Sequence, residues 1–249
     1  MKIQRAMALI VGSALALLTS GAQAAEIKVL ASTAVKTTLQ ELAPQFEKAT
    51  GNKVDITFAP AAALKVKIDE GATFDVAILT APVTEDLAGE GKIDMARTTI
   101  AHSGIGVATR KGAPKPDIST TEAFKRTLLN AKSIGFTAAG ATGAYLKALF
   151  ERLGIDGELE PKLKLLPGAA GEAVAKGDVE IGMTQISEIL PYPGAELVGP
   201  LPADIQSYTY FSAAASVASK QADVAKAFIK FLAAPTALAV IKAKGMEPG

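Results

Sequence analysis

The residues able to do chemistry in this 249-residue chain are few, which narrows the reading at once. There is no cysteine and a single histidine, His102, so a zinc or copper centre has too few ligands. No Gly-x-Ser-x-Gly elbow is present, and Asp75 has no second carboxylate at a spacing that would suggest paired acid and base. What recurs instead is a hydroxyl or amide beside small residues at the end of an apolar run: Ser32-Thr33, Ala59-Pro60-Ala61, Thr80-Ala81, Thr142-Gly143 and Gln185. Strand ends of that composition, leading into helices, offer unpaired backbone N–H groups and hydroxyls, a set suited to holding an anion. Lys36 and Lys65, one turn inside two of the helices, are candidate cationic partners for a ligand carboxylate. His102 is a candidate for proton transfer, and Tyr208 and Tyr210 are further candidates for ligand contact.

The elements that must carry these residues follow from periodicity. Ile27–Ala31, Lys53–Phe58 and Phe74–Leu79 read as strands. Each leads into a helix with an apolar face, the first bearing Val35, Leu39, Leu42 and Phe46 and ending at Gly51. Thr98–Arg110 is a long extended run interrupted by small residues. A second series follows, with Ser119 as a helix cap, strands at 133–136, 163–166 and 179–184, a small-residue loop leading into a helix at 145–150, and a further helix starting near 169–173. Ser207–Ala218 is again extended, and two helices, 221–233 and 235–244, close the chain.

Alternating strands and helices imply βαβ units on a largely parallel sheet, with ligands beyond the carboxyl ends of the strands. Two long extended crossings imply a hinge between two lobes. The expected architecture is α/β and two-lobed, with a central cleft between lobe 1 (25–100 plus 213–249) and lobe 2 (105–206). Ahead of it, Lys2 and Arg5, the apolar run Ala6–Leu18 and Ala22-Gln23-Ala24 read as a cleaved signal peptide, 1–24, and place the mature chain in a periplasm.

Composition excludes several classes. Lysine plus arginine (26) nearly balance aspartate plus glutamate (25), so no global field draws nucleic acid or membrane. Aromatics are 5% and tryptophan is absent, which disfavours stacking platforms for bases or sugars. No Gly-x-Gly-x-x-Gly or phosphate-loop motif is present. The expected partner is a small anionic ligand, with no cofactor and no metal, and the expected state is a monomer.

Across nearly the whole mature chain the sequence resembles the periplasmic solute-binding proteins of type 2 fold, in their molybdate-binding branch. The likeness is carried by Ala31-Ser32-Thr33, Phe58–Lys65 ahead of Ile68–Ala72, Phe74–Ile78, Ala141–Tyr145, Phe228–Leu232 and Gly245–Pro248. In that family serine hydroxyls and backbone N–H groups at strand ends of both lobes hold a tetrahedral oxyanion. Ser32 matches the first serine. The second falls on Ala61 or its neighbours, and Met183-Thr184-Gln185 stands where the family has a tyrosine near the second-lobe strand end. These departures point from molybdate toward another anion, a small carboxylate or an oxyanion held by main-chain donors.

The resemblance implies a receptor that closes over its ligand and delivers it to an inner-membrane ABC-type permease. The site residues expected are Ser32, Thr33, Ala61, Lys65, Thr80, Thr142, Gly143, Gln185 and Tyr210. The alternative it implies is an enzyme similar to aconitate isomerase, moving a proton along an unsaturated tricarboxylate. In that case His102 or Lys36 is the catalytic group, and Lys36, Lys65 or Arg97 clamps the anion.

Overall fold

The computed structural model describes residues 24–138 and 140–249; the expected signal peptide, apart from Ala24, lies outside them. The chain runs β1 (Glu26–Ser32), a 3-10 turn, α1 (Lys36–Thr50), β2 (Lys53–Ala59), α2 (Ala61–Asp69), β3 (Val76–Thr80), α3 (Ala81–Gly89) and β4 (Thr98–Arg110). It continues with α4 (Thr121–Asn130), β5 (Ile134–Thr137), α5 (Ala141–Leu153), α6 (Asp156–Leu159), β6 (Leu163–Leu166), α7 (Ala170–Lys176), β7 (Ile181–Gln185), a 3-10 turn at Ile186–Glu188 and β8 (Ala195–Pro200). The end is β9 (Tyr208–Ala215), α8 (Ala222–Leu232), α9 (Pro235–Ala243) and the short β10 (Glu247–Pro248).

Apolar spacing explains most of these elements. In α1 the buried Leu39, Leu42, Ala43 and Phe46 fall on one face, and Gly51 in the left-handed region (φ 77°) stops the helix, as a residue without Cβ does cheaply. The cap of α4 is Thr120 rather than Ser119: its hydroxyl accepts from the Ala123 N–H at 3.1 Å.

The sheet is parallel only in part. β1 lies between β2 and β3, and β5 lies between β6 and β7, with all four pairings parallel. The two long strands run against them: β9 pairs antiparallel with β3 and β4, and β4 with β7 and β8. β4 is therefore one continuous strand, its small residues demanded by packing. A Cβ on Gly106 would come within 2.8 Å of Ile186 Cγ1 and 2.9 Å of Leu197 Cδ1. Thirteen residues extend roughly 43 Å, enough to cross from one half of the molecule to the other.

The buried side chains collect on either side of that crossing. One pair of cores draws on residues between Ile27 and Ala101 and between Phe211 and Met246, and the other on residues between Ile105 and Ile205. In the first, Phe46 meets Phe228 edge-to-face at 5.0 Å and Phe231 at 5.6 Å, tying α1 to the C-terminal helix α8. We call the two halves lobes. Among the described residues no single helix is long and apolar enough to cross a membrane.

Candidate functional site

The strand ends and helix starts of both lobes converge on one cleft of about 790 Å³. The first lobe contributes Ser32 and Thr33 after β1, Lys36 at the start of α1, Ala61 at the start of α2 and Thr80 at the end of β3. Ser32 and Thr80 occupy cap positions, yet neither side chain makes a capping hydrogen bond, so their hydroxyls are not spent on their own helices. Ala61 adds no side-chain donor, and the first turn of α2 presents backbone N–H groups with no intrahelical acceptor. Lys36 makes no salt bridge among the described residues; its Nζ lies 6.0 Å from the centre of the Phe58 ring. It is the one lysine or arginine among the described residues lining the cleft.

From the second lobe come Thr142 in the first turn of α5 and Gln185 at the end of β7. Gln185 is buried, and its Nε2 donates to Thr142 Oγ1 at 2.9 Å and to Thr209 Oγ1, on the crossing strand β9, at 3.0 Å. Both hydroxyls thus act as acceptors toward Gln185 and keep their own O–H free to donate to a ligand. The expected amide donor is instead a brace for two other donors. Its Oε1 is buried with no partner among the described residues.

Gly143 does not line the cleft; its neighbours Thr142 and Ala144 do. Its part is to let α5 sit down on the end of β5, since a Cβ there would lie 2.4 Å from the Thr137 carbonyl oxygen and 2.7 Å from that of Ala138. Gly143→Ala therefore pushes the first turn of α5 off its seat. Overpacking of this kind costs about 1–3 kcal/mol, and we expect a lowered urea midpoint together with weakened ligand binding in a titration of the variant.

Five further candidates from the sequence lie elsewhere. His102 and Tyr210 are directly paired across β4 and β9, their rings stacked at 4.8 Å, with Tyr208 edge-on to His102 at 5.5 Å. Side chains alternate along a strand: Thr209 and Phe211 face the cleft, which puts Tyr208, Tyr210 and their partner His102 on the opposite face of the crossing ribbon. Lys65 is taken up by a surface ring of four charges. It bonds Asp69 at 3.0 Å and Glu90 at 2.7 Å, while Lys92 reaches the same two carboxylates at 2.5 and 2.8 Å. Hydrogen bonds donated to Glu90 and then to Asp69 hold the Lys65 ammonium above its ordinary pKa. Arg97 is exposed and also lies outside the cleft lining.

Sequence reasoning missed Glu188. It closes the 3-10 turn after β7, and it is the one carboxylate among the described residues lining the cleft. Thr184 Oγ1 donates to its Oε2 at 2.6 Å, and Thr33 Oγ1, from the other lobe, donates to Oε1 at 3.4 Å. Burial pushes the Glu188 carboxyl above its ordinary range, against the smaller opposing effect of those hydrogen bonds. A signal was present in the sequence. Glu188 is the only charged residue between Glu180 and Glu196, set in an apolar run. Tyr192 also lines the cleft, its hydroxyl pushed up by burial and by the charges of Glu172 and Glu188. Among the described residues no cluster of three or more His, Asp or Glu could hold a metal ion.

Comparison with known proteins gives this geometry a lineage. An aconitate isomerase from Pseudomonas sp is 34% identical over 230 residues, covering 89% of this chain and 87% of its own. The molybdate-binding protein ModA of Azotobacter vinelandii is 28% identical over 250 residues, covering 95% and 96%. Among solved structures, a periplasmic molybdate-binding protein of Azotobacter vinelandii superposes with a TM-score of 0.75 at 22% identity, over 90% of this chain and 99% of that one. The fold is that of the periplasmic binding proteins, two lobes joined by crossing strands. The profile of the bacterial extracellular solute-binding proteins matches residues 27–247, from the first strand to the last, and the chain belongs to that family.

Proposed function

We propose that the protein is a periplasmic receptor that closes its two lobes over a small carboxylate anion and presents it to an inner-membrane ABC-type permease. The observation that carries this reading is the composition of the cleft. Uncommitted hydroxyls (Ser32, Thr80), hydroxyls braced with their protons free (Thr142, Thr209) and one unpaired ammonium (Lys36) converge from both lobes and the crossing strands. Binding by such a set needs preorganised donors and a hinge, and no chemistry. At about 790 Å³ the cleft is of ordinary small-molecule size, with room for an anion larger than a tetrahedral oxyanion. The resemblance to the molybdate-binding branch puts that family's second serine at Ala61 or its neighbours, where this chain has no hydroxyl, and this supports the same preference.

A second reading, an isomerase of an unsaturated tricarboxylate, is favoured by Glu188 and by the relative named for that activity. A 1,3-proton shift conserves every atom. A base removes a proton from the methylene carbon beside a carboxylate, the double bond moves one position along, and a proton is returned to the far carbon. His102 faces away from the cleft, so the group suited to that exchange is Glu188, with Lys36 stabilising the negative charge that builds on the carboxylate.

One experiment separates the two. The mature protein is screened by thermal shift against citrate, cis- and trans-aconitate, phosphate, sulfate and molybdate, and mixtures with each aconitate isomer are followed by chromatography. The receptor reading predicts a rise in melting temperature that grows with ligand concentration by mass action, and no interconversion. Interconversion lost in Glu188→Gln would replace it with the isomerase, and silence toward all six anions would remove both.

A further inference from the structure

We propose that Glu188 selects the ligand by its protons: the cleft takes an acid that shares an O–H with this carboxyl, a hydroxy acid or a polycarboxylate that retains or acquires one proton. Oxyanions that have none, such as sulfate and molybdate, bind only as Glu188 takes a proton from solvent, and so lose affinity as pH rises. The inference rests on the reading of the cleft as an anion site and names the class of anion.

Two observations support it independently. The first is the placing of a carboxyl among anion donors. Glu188 meets the cleft between Thr184 and Thr33, with no lysine, arginine or histidine paired to it among the described residues. An ionised Glu188 repels a bound anion; a proton between the two turns that repulsion into a hydrogen bond. The second is an excess of acceptors. Gln185 Oε1, in a residue that lines the cleft, is buried without a partner among the described residues, and a side-chain carbonyl oxygen can only accept. An oxyanion without protons offers nothing to an ionised Glu188, whereas a hydroxyl or protonated carboxyl donates to it.

The charged and titratable groups around Glu188 leave the proton with that carboxyl. Lys36 on α1 lines the same cleft. Tyr192 follows the turn that carries Glu188, and Glu172 on α7 acts on Tyr192. His102 on β4 faces the far side of the ribbon. Because burial already raises the Glu188 pKa, an incoming anion raises it further, and binding draws a proton from solvent when the ligand brings none. The sign follows. For a fully ionised probe, affinity falls as pH rises above the carboxyl's value in the free protein, by up to about tenfold per pH unit.

The test is isothermal titration of the mature wild-type protein and of Glu188→Gln with citrate, trans-aconitate, sulfate and molybdate. It is run at pH 6 and pH 8, in pairs of buffers differing in ionisation heat so that proton uptake is counted. Wild type should bind a carboxylate probe, take up protons with any probe that is fully ionised, and lose affinity for that probe between pH 6 and pH 8. In Glu188→Gln the uptake should vanish, and sulfate or molybdate should gain at least about tenfold at pH 8. Tight binding of sulfate or molybdate to wild type at pH 8 without proton uptake overturns the inference while leaving the anion reading intact. So does unchanged selectivity in a folded Glu188→Gln. Should that variant fail to fold, the wild-type proton count decides alone. Absence of heat with every probe in both proteins defeats the anion reading itself, and the inference with it.

Discussion

Lys36→Met should weaken binding of the preferred carboxylate by about ten- to a hundredfold while leaving the unliganded protein as stable as before. The size follows from the loss of a hydrogen bond to a charged partner, about 1.5–3 kcal/mol, converted at about 1.4 kcal/mol per factor of ten. Lys36 stands apart from the other lysines that were candidates at the sequence level. Lys65 is held by Asp69 and Glu90, whereas no carboxylate meets Lys36 among the described residues. Its charge therefore remains for a ligand, and it stands at the first residue of α1, where the helix dipole also favours an anion. Methionine keeps the length of the apolar stem beside Phe58 and removes only the ammonium. The residue is exposed, so the apo stability should move by no more than about 0.5 kcal/mol. A titration with citrate and trans-aconitate, paired with a urea melt, reads both quantities. Wild-type affinity in the variant would mean that main-chain and hydroxyl donors alone hold the anion.

The largest effect on stability is expected from Phe46→Ala. Phe46 is 1% exposed and packs against Phe228 and Phe231, so its ring joins α1, near the start of the chain, to α8 near its end. Truncating a buried phenylalanine costs about 3–5 kcal/mol through lost transfer energy and the cavity left behind. For a domain of this size each kcal/mol lowers the melting temperature by roughly 2–4 °C, which puts the shift near 10 °C. A cavity in that core also loosens the seat of α1, whose first residue is Lys36, so a weaker anion response at moderate temperature should accompany the lower melting point. A fall of less than about 1 kcal/mol in the urea-derived stability would show that α8 closes onto the space.

Much of the molecule was legible in the sequence because it is determined over short distances. The strands at 53–58 and 163–166 and the helix ending at Gly51 follow from apolar spacing and terminators within a few residues, and the structure has them almost unchanged. The strand-end rule placed the cleft as well. Ser32, Thr33, Ala61, Thr80, Thr142 and Gln185 all line it, because a helix start after a parallel strand opens on the same edge of the sheet whatever else the chain does.

What the tertiary structure alone decided is which groups face which way and which find partners first. Nothing local tells whether Tyr210 or Thr209 looks into the cleft: a one-residue change of register exchanges the two faces, and the register of β9 is set by β3 and β4, more than a hundred residues away. That pairing carries His102 to the back of the ribbon with Tyr210. Lys65 was lost to the cleft through Glu90, 25 positions along the chain. Glu188 gained its place by meeting Thr33, 155 positions away, and only that meeting turns one glutamate in an apolar run into a carboxyl within an anion-binding cleft. Short-range spacing specifies elements and the edge at which a ligand sits; the charge, protons and selectivity of the site come from contacts whose sequence separation no local pattern records.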